Sequence, residues 1–220
     1  MIEYLNKNKL MKKVLLFDMD GVLIDSRPAM QLAWEHSTKI IGSKIPFNSY
    51  FKLIGMPFSN IANELGIKSN LINDLKKEYG NATANHIDKI KPYKGINYLL
   101  RKLRNNNFIL GIVTSKEFWR ADFLVDYFGF YSDILITPEY TEQGKPSGEP
   151  LRKALEILCI KSKDALYIGD MATDFESAKD ANIDYLHADW GYGSIPNRVI
   201  SASYPEEILE FAGLSVSNSN

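Results

Sequence analysis

The sequence predicts an α/β protein: a doubly wound parallel sheet carrying a small all-helical insertion after its first strand. Short apolar runs recur along the chain, each closed by polar or small residues: "KVLLF" (13–17), "FILGIVTS" (108–115), "DILIT" (133–137), "DALYIGD" (164–170) and "DYLHAD" (184–189). Continuous apolar character over a few residues suits strands buried on both faces, as in a parallel sheet. Between the last four runs lie segments with helical spacing, so strand and helix alternate as βαβ units.

Each element has its own signal. In 117–128, Phe118, Ala121, Leu124, Val125 and Phe128 recur at intervals of three and four. In 148–160, Leu151, Ala154, Leu155 and Leu158 do the same, and 172–182 has Phe175, Ala178 and Ala181. The interval 27–91 breaks the rhythm, because it contains no convincing strand. Its first part, 28–41, is helical through Met30, Ala33, Trp34 and Ile41, with Ser26 as N-cap and Pro28 in the first turn. "SNIANELGI" and "LINDLKKEYGNATANHIDKI" are helical in pattern, and "PYKG" at 92–95 turns the chain back towards the sheet. The domain reading is a core of 11–26 and 92–213, with 27–91 as a helical cap. Residues 1–10 read as a polar extension and "SVSNSN" as a frayed tail.

Bulk properties exclude several classes. The 220 residues suit one domain with a sizeable core, or one domain carrying a small second one. A net charge of −1 provides no global field for nucleic acid or an anionic membrane, so any anion site must be local. No stretch approaches the ~18 to 20 apolar residues of a membrane span. The N-terminus lacks the apolar region of a signal peptide. The one cysteine, Cys159, permits no internal disulfide and reads as a core residue in "ALEILCI". The expectation is a soluble cytoplasmic protein acting on a small molecule. The oligomeric state leaves no trace in the sequence.

The chemistry concentrates at strand ends. The first strand ends at Asp18 and Asp20, the run at 108–115 at Thr114 and Ser115, and the run at 164–170 at Gly169 and Asp170. Asp174 follows at the start of a helix, and Lys145 precedes another in "QGKPSGEP". A parallel sheet places all of these on one edge, where such sheets bind ligands. Two bare carboxylates ~4 Å apart repel by roughly 4 kcal/mol at an effective dielectric near 20. A cation offsets that repulsion. Oxygen-only ligands suit a hard ion, and Mg²⁺ is the usual one beside phosphate. Lys145 and Thr114 then hold an anion's other oxygens, and Gly21 lets the backbone leave the strand. One carboxylate can attack phosphorus; the other can protonate the leaving oxygen and then activate water.

"DMDGVLIDS", "VTS", "GKPSGEP" and "YIGDMATD" resemble, in order and spacing, the four motifs of the haloacid dehalogenase superfamily. "WGYGS" at 190–194, "DSRP", "IGMP" and the helical insertion are similar to the phosphoglycolate-phosphatase-like subgroup. The resemblance implies a Rossmann-like core with a cap, and a Mg²⁺-dependent phosphatase that hydrolyses a small phosphomonoester through an aspartyl-phosphate. It implies Asp18 as nucleophile and metal ligand. Asp20 becomes the general acid/base, with its carbonyl on the metal. Thr114 and the Ser115 N–H hold the phosphoryl group, and Lys145 binds it together with the nucleophile. Asp170 is a direct metal ligand, and Asp174 a ligand or a support for one. Val22, Met171 and Ser147–Gly148 depart from the commoner residues at their positions without removing a chemical group.

Other residues read differently. Arg27 and Lys52 are candidate substrate contacts in the insertion. Asp25 and Ser26 read as helix-capping. His36, His86 and His187 lack ligand spacing and read as structural, and Trp190 and Tyr192 as packing aromatics. A sugar phosphomutase is the alternative enzyme, but Met30 stands where such members place an assisting histidine. A haloalkanoic acid dehalogenase would leave Asp20, Asp170 and Asp174 surplus. Outside enzymes, the alternative is a regulatory module that merely binds Mg²⁺ and phosphate; unchanged function after Asp18→Asn would favour it.

Overall fold

The computed structural model describes residues 12–195 and 199–214. The N-terminal extension, Met11 and the "SVSNSN" tail lie outside them. The core is one six-stranded sheet: β1 (Val14–Phe17), β4 (Ile109–Val113), β5 (Ile134–Ile136), β6 (Ala165–Gly169), β7 (Asp184–Ala188) and β8 (Ser201–Ala202), in the order β5-β4-β1-β6-β7-β8. Every pairing in it is parallel. The chain builds outward from β1 on one side, then returns to build on the other. The crevice at that reversal, between the ends of β1 and β6, is where open α/β sheets hold ligands.

Strand periodicity sorts the core into two layers. Leu15 and Phe17 pack with Ile112, Ile168 and Leu103 on one face, while Val14 and Leu16 pack with Val113, Tyr167 and Leu151 on the other. The first layer is covered by α5 (Ile96–Asn105), α6 (Phe118–Phe128) and α9 (Ile208–Phe211), the second by α7 (Glu149–Leu158) and α8 (Ala172–Asp180). Gly111 sits where β1 and β5 flank β4. A Cβ there would meet Leu16 Cδ2 at 2.5 Å and Ile134 Cγ2 at 2.8 Å, so any larger residue would force both side chains to shift. Helix α5 has apolar spacing through Ile96, Leu99, Leu100 and Leu103, a signal the sequence carries although "PYKG" drew attention only to a turn.

Between β1 and β4 the chain forms α1 (Arg27–Ile40), α2 (Phe47–Phe51), α3 (Phe58–Glu64) and α4 (Ser69–Asn85). These helices bury a separate apolar cluster through Ala33, Trp34, Phe47, Tyr50, Ile61, Leu75 and Tyr79. Trp34 stacks on Tyr50 at 4.3 Å, and its indole N–H donates to the Ile45 carbonyl at 2.8 Å. A short clasp bounds the interval 27–91. β2 (Ile24–Asp25) and β3 (Lys91–Pro92) pair antiparallel at its base. Two-residue strands are too short to carry a periodic signal.

Cys159 departs from its expected place in the core. It is exposed, because α7 ends at Leu158 and Cys159 takes the left-handed C-cap conformation at φ +54°. Among the described residues, no helix is long and apolar enough to cross a membrane.

Candidate active site

The strand ends converge as the parallel sheet requires. In-register pairing of β1 with β6 sets Asp18, the residue after Phe17, beside the exit to Asp170. The Asp18 N–H donates to the Ile168 carbonyl at 2.9 Å, which fixes the carboxylate at the mouth. The chain then turns at Gly21, at φ +85°. A Cβ there would lie 2.2 Å from Asp170 Oδ2, so glycine is required twice over.

Asp18, Asp170 and Asp174 each bring one carboxylate oxygen within 4.8 Å of the others, and all three are buried. Lys145, itself buried, bonds Asp18 Oδ1 at 2.8 Å and Asp174 Oδ1 at 2.7 Å. Tyr167 donates its hydroxyl to Asp174 Oδ1 at 2.8 Å, and the N–H groups of Asp170 and Met171 donate to Asp174 Oδ2. Both Asp174 oxygens are therefore occupied. Asp170 differs. Its Oδ2 accepts the Tyr192 N–H at 2.6 Å, but its Oδ1 is buried with no hydrogen-bond partner. A buried carboxylate oxygen without a donor is costly unless a ligand completes it. Three carboxylates and no His or Cys fit a hard divalent cation.

The electrostatics agree with a cation. Burial pushes the Asp18 carboxyl up to about 7, with Lys145 opposing and Asp174 adding to the rise. Burial likewise holds Asp170 well above the carboxylate range, reinforced by Asp174 and Asp18. Lys145 has the converse balance. Burial opposes its charge, but Asp174 and Asp18 outweigh that and hold the ammonium above its usual range.

Asp20 sits apart from the cluster. Ser26 donates its hydroxyl to Asp20 Oδ1 at 2.5 Å, and Lys116 bonds Oδ2 at 2.9 Å. Burial works against the Asp20 charge, but Lys116 and Ser26 outweigh it and hold the carboxyl below its usual range. The pair does not fully repay the burial of Lys116, whose ammonium desolvation keeps low despite Asp20. Ser26 stands at the N-cap position of α1 but makes no side-chain cap bond, because its hydroxyl serves Asp20. The capping expectation for Ser26 is thereby corrected. Asp25 Oδ1 accepts the Arg27 N–H at 3.1 Å.

A cavity of about 80 Å³ opens over these groups, lined on the sheet side by Asp18, Asp20, Thr114, Ser115, Lys116 and Lys145. Thr114 lies at the end of β4, and the Ser115 hydroxyl donates to the Gly55 carbonyl at 2.8 Å, joining sheet to insertion. Arg27 and Lys52 are not among the lining residues. Arg27 lies over the Phe51 ring at 4.4 Å, and Lys52 is exposed at the end of α2. Lys76, Tyr50, Tyr79, Lys116 and Arg120 do line the cavity. The spacing of Lys116 and Arg120, four apart after a strand end, was a readable signal for two of them. Lys76 and Tyr79 come from a helix with no chemical motif. Tyr192 is more than a packing aromatic: its hydroxyl accepts the Ser26 N–H at 2.7 Å and the Arg27 N–H at 3.1 Å.

A Rossmann-type sheet bearing this acidic cluster and a helical insertion defines a class of α/β hydrolase. The sequence pattern of the haloacid dehalogenase-like hydrolases matches residues 15–188, and the chain belongs to that family. The phosphoglycolate phosphatase of Aquifex aeolicus is 28% identical, with 90% of this chain and 95% of that protein covered. The N-acetylmuramic acid 6-phosphate phosphatase of Pseudomonas aeruginosa is also 28% identical, covering 82% of this chain and 83% of that one. A solved structure from Lactobacillus plantarum, provisionally named a phosphoglycolate phosphatase, superposes with a TM-score of 0.80 at 30% identity, covering 91% of this chain and 99% of that one. The chain is accordingly an enzyme of the phosphatase type.

Proposed function

We propose that the protein is a Mg²⁺-dependent phosphomonoester hydrolase that works through an aspartyl-phosphate on Asp18. The observation that carries this is the pairing of a buried Asp18, held at 2.8 Å by Lys145, with an Asp170 oxygen that lacks any partner. Asp18 and Asp170 would hold the metal, with the Asp20 backbone carbonyl, and the ion would supply charge that keeps Asp18 ionised and offsets phosphoryl charge. Asp174 supports them. Its two oxygens fix Lys145 and the backbone at Asp170 and Met171.

An Asp18 oxygen forms a bond to phosphorus as the ester oxygen leaves. Asp20, ionised in the free site by Lys116 and Ser26, first takes up the proton that a phosphomonoester monoanion brings and passes it to the leaving oxygen. Asp20 then takes a proton from water, which attacks the acyl phosphate and releases inorganic phosphate with Asp18 regenerated. Thr114, the Ser115 N–H and Lys145 bind the phosphoryl oxygens and oppose the charge gathering there. Residues 27–91 act as a cap over the core of 11–26 and 92–213. The small cavity then restricts turnover to small metabolites and excludes bulk water.

Phosphate release from a panel of small phosphomonoesters tests this, with and without Mg²⁺, beside Asp18→Asn. Release that needs both the metal and Asp18 is expected, with a loss of at least ~10³-fold in the variant, the scale of removing a covalent nucleophile. Turnover that survives EDTA or Asp18→Asn overturns the mechanism.

A further inference from the structure

Helix α6 packs on the sheet through Ala121 and Leu124, which are buried. The outer face of such a helix is ordinarily polar. Here Trp119, Phe123 and Tyr127 recur on it every four residues, and they are 53%, 50% and 54% exposed. The three form one surface. Phe123 stacks on Tyr127 with ring centroids 5.7 Å apart, and Trp119 lies against Gly80 of α4, where a Cβ would meet its ring at 3.5 Å. A large aromatic side chain presents about 200 Å², so three half-exposed ones leave roughly 300 Å² of contiguous apolar surface. Single exposed apolar residues need no explanation, but a patch of this size marks an interaction site.

Charge is unevenly spread along this face. Asp122 and Asp126, both exposed, flank Phe123 and Tyr127. At the Trp119 end, Lys76 of α4 holds Glu117 at 2.7 Å, and exposed Lys77 stands one turn before Gly80. The face is thus acidic beside Tyr127 and basic beside Trp119. The aspartates disfavour an anionic membrane, which would repel them. A second copy of the chain matches the pattern in one orientation. Parallel pairing would set Asp126 against Asp126. Antiparallel pairing sets it against the Lys77 end of the other copy, and such a contact closes on itself about a two-fold axis.

We propose that the outer face of α6 is the interface of a homodimer, with the Trp119–Phe123–Tyr127 stripes packed antiparallel about a two-fold axis at Phe123. The roughly 300 Å² of aromatic surface supplies the apolar centre of an interface of about 800 Å² per partner, and Asp122, Asp126 and Lys77 supply its polar rim. Asp126 belongs to the core and Lys77 to the helical segment after β1, so the dimer ties that segment of each copy to the core of the other. The inference is independent of the phosphatase reading.

Sedimentation equilibrium of the full chain, from about 1 to 100 µM, tests this, and a dimer with a Kd below about 10 µM is expected. Phe123 meets its own copy on the axis, so Phe123→Lys counts twice and should raise Kd at least ~100-fold. Tyr127→Lys should act in the same direction, with far-UV circular dichroism showing that each variant is folded. Asp126→Lys should raise Kd by roughly 5- to 25-fold at low salt, and adding Lys77→Glu should reverse much of that rise. A wild-type chain that stays monomeric at about 100 µM overturns the proposal and gives the face to another occupant, residues 1–11 or a different protein. A dimer that both Phe123→Lys and Tyr127→Lys leave intact also overturns it. A tighter dimer in Asp126→Lys would set acid against acid and overturn the antiparallel packing.

Discussion

Removal of Lys145 would expose what the acidic cluster costs the fold. Lys145→Met keeps the length of the side chain and deletes the one ammonium that bonds both Asp18 and Asp174. Three carboxylates remain, with oxygens within 4.8 Å of one another; at an effective dielectric of 20, two unit charges at that distance repel by about 3.5 kcal/mol. Deleting one partner of a buried pair costs about 3–5 kcal/mol. For a chain of this size that lowers Tm by roughly 10 °C. The loss should depend on pH. Burial already raises Asp18 to about 7, and without Lys145 the carboxyl moves higher still. The folded state then holds more protons than the unfolded state between about pH 4 and that raised pKa. Stability falls as pH rises across this window, and the penalty vanishes below it. Urea unfolding of both proteins in EDTA at pH 5 and pH 8 measures the difference, and Mg²⁺ at pH 8 should shrink it. A loss below about 1 kcal/mol at pH 8, or an equal loss at both pH values, would refute the reasoning.

Two further outcomes follow from the geometry. Lys116→Met removes the main charge that opposes burial of Asp20, so the Asp20 carboxyl rises and the limb of the kcat/KM profile that it sets should move to higher pH; an unmoved limb would separate the ion pair from the acid/base role. Gly21→Ala places a Cβ 2.2 Å from Asp170 Oδ2 in a left-handed conformation, and should lower stability by about 1–3 kcal/mol and Mg²⁺ affinity with it; calorimetry of the metal-free and Mg²⁺-loaded protein reads both.

The strands and the polar residues gathered at their ends were legible because both have local causes. A strand buried on both faces must be apolar throughout, so "VLLF" and "ALYIG" announce themselves. Asp18, Thr114, Lys145 and Asp170 follow from such runs or precede a helix. What stayed hidden depends on contacts far apart in sequence. Lys76 and Tyr79 line the cavity with Arg120 although α4 is far from it in sequence, and nothing around them marks a cavity wall. Tyr192 reaches the backbone of Ser26 across 166 residues. The position of Ser26 was readable, but the choice of its hydroxyl between a helix end and Asp20 was not. Cys159 sits in an apolar run yet lies just past the end of α7, where one residue of difference turns a side chain from core to solvent.

The short antiparallel clasp of Ile24–Asp25 with Lys91–Pro92 changes what the insertion costs the chain. Closing a flexible loop costs about (3/2)RT ln n, so lengthening the β1–β4 connection from roughly 26 to 91 residues would add only about 1 kcal/mol. The clasp lowers even that, because it brings the two ends of the helical segment together before the sheet must join them. The core then meets a short tether whatever hangs beyond it. Helices there can lengthen, shorten or be exchanged with little strain on β1 and β4, so the cavity wall they supply can change while Asp18 and its partners stay fixed.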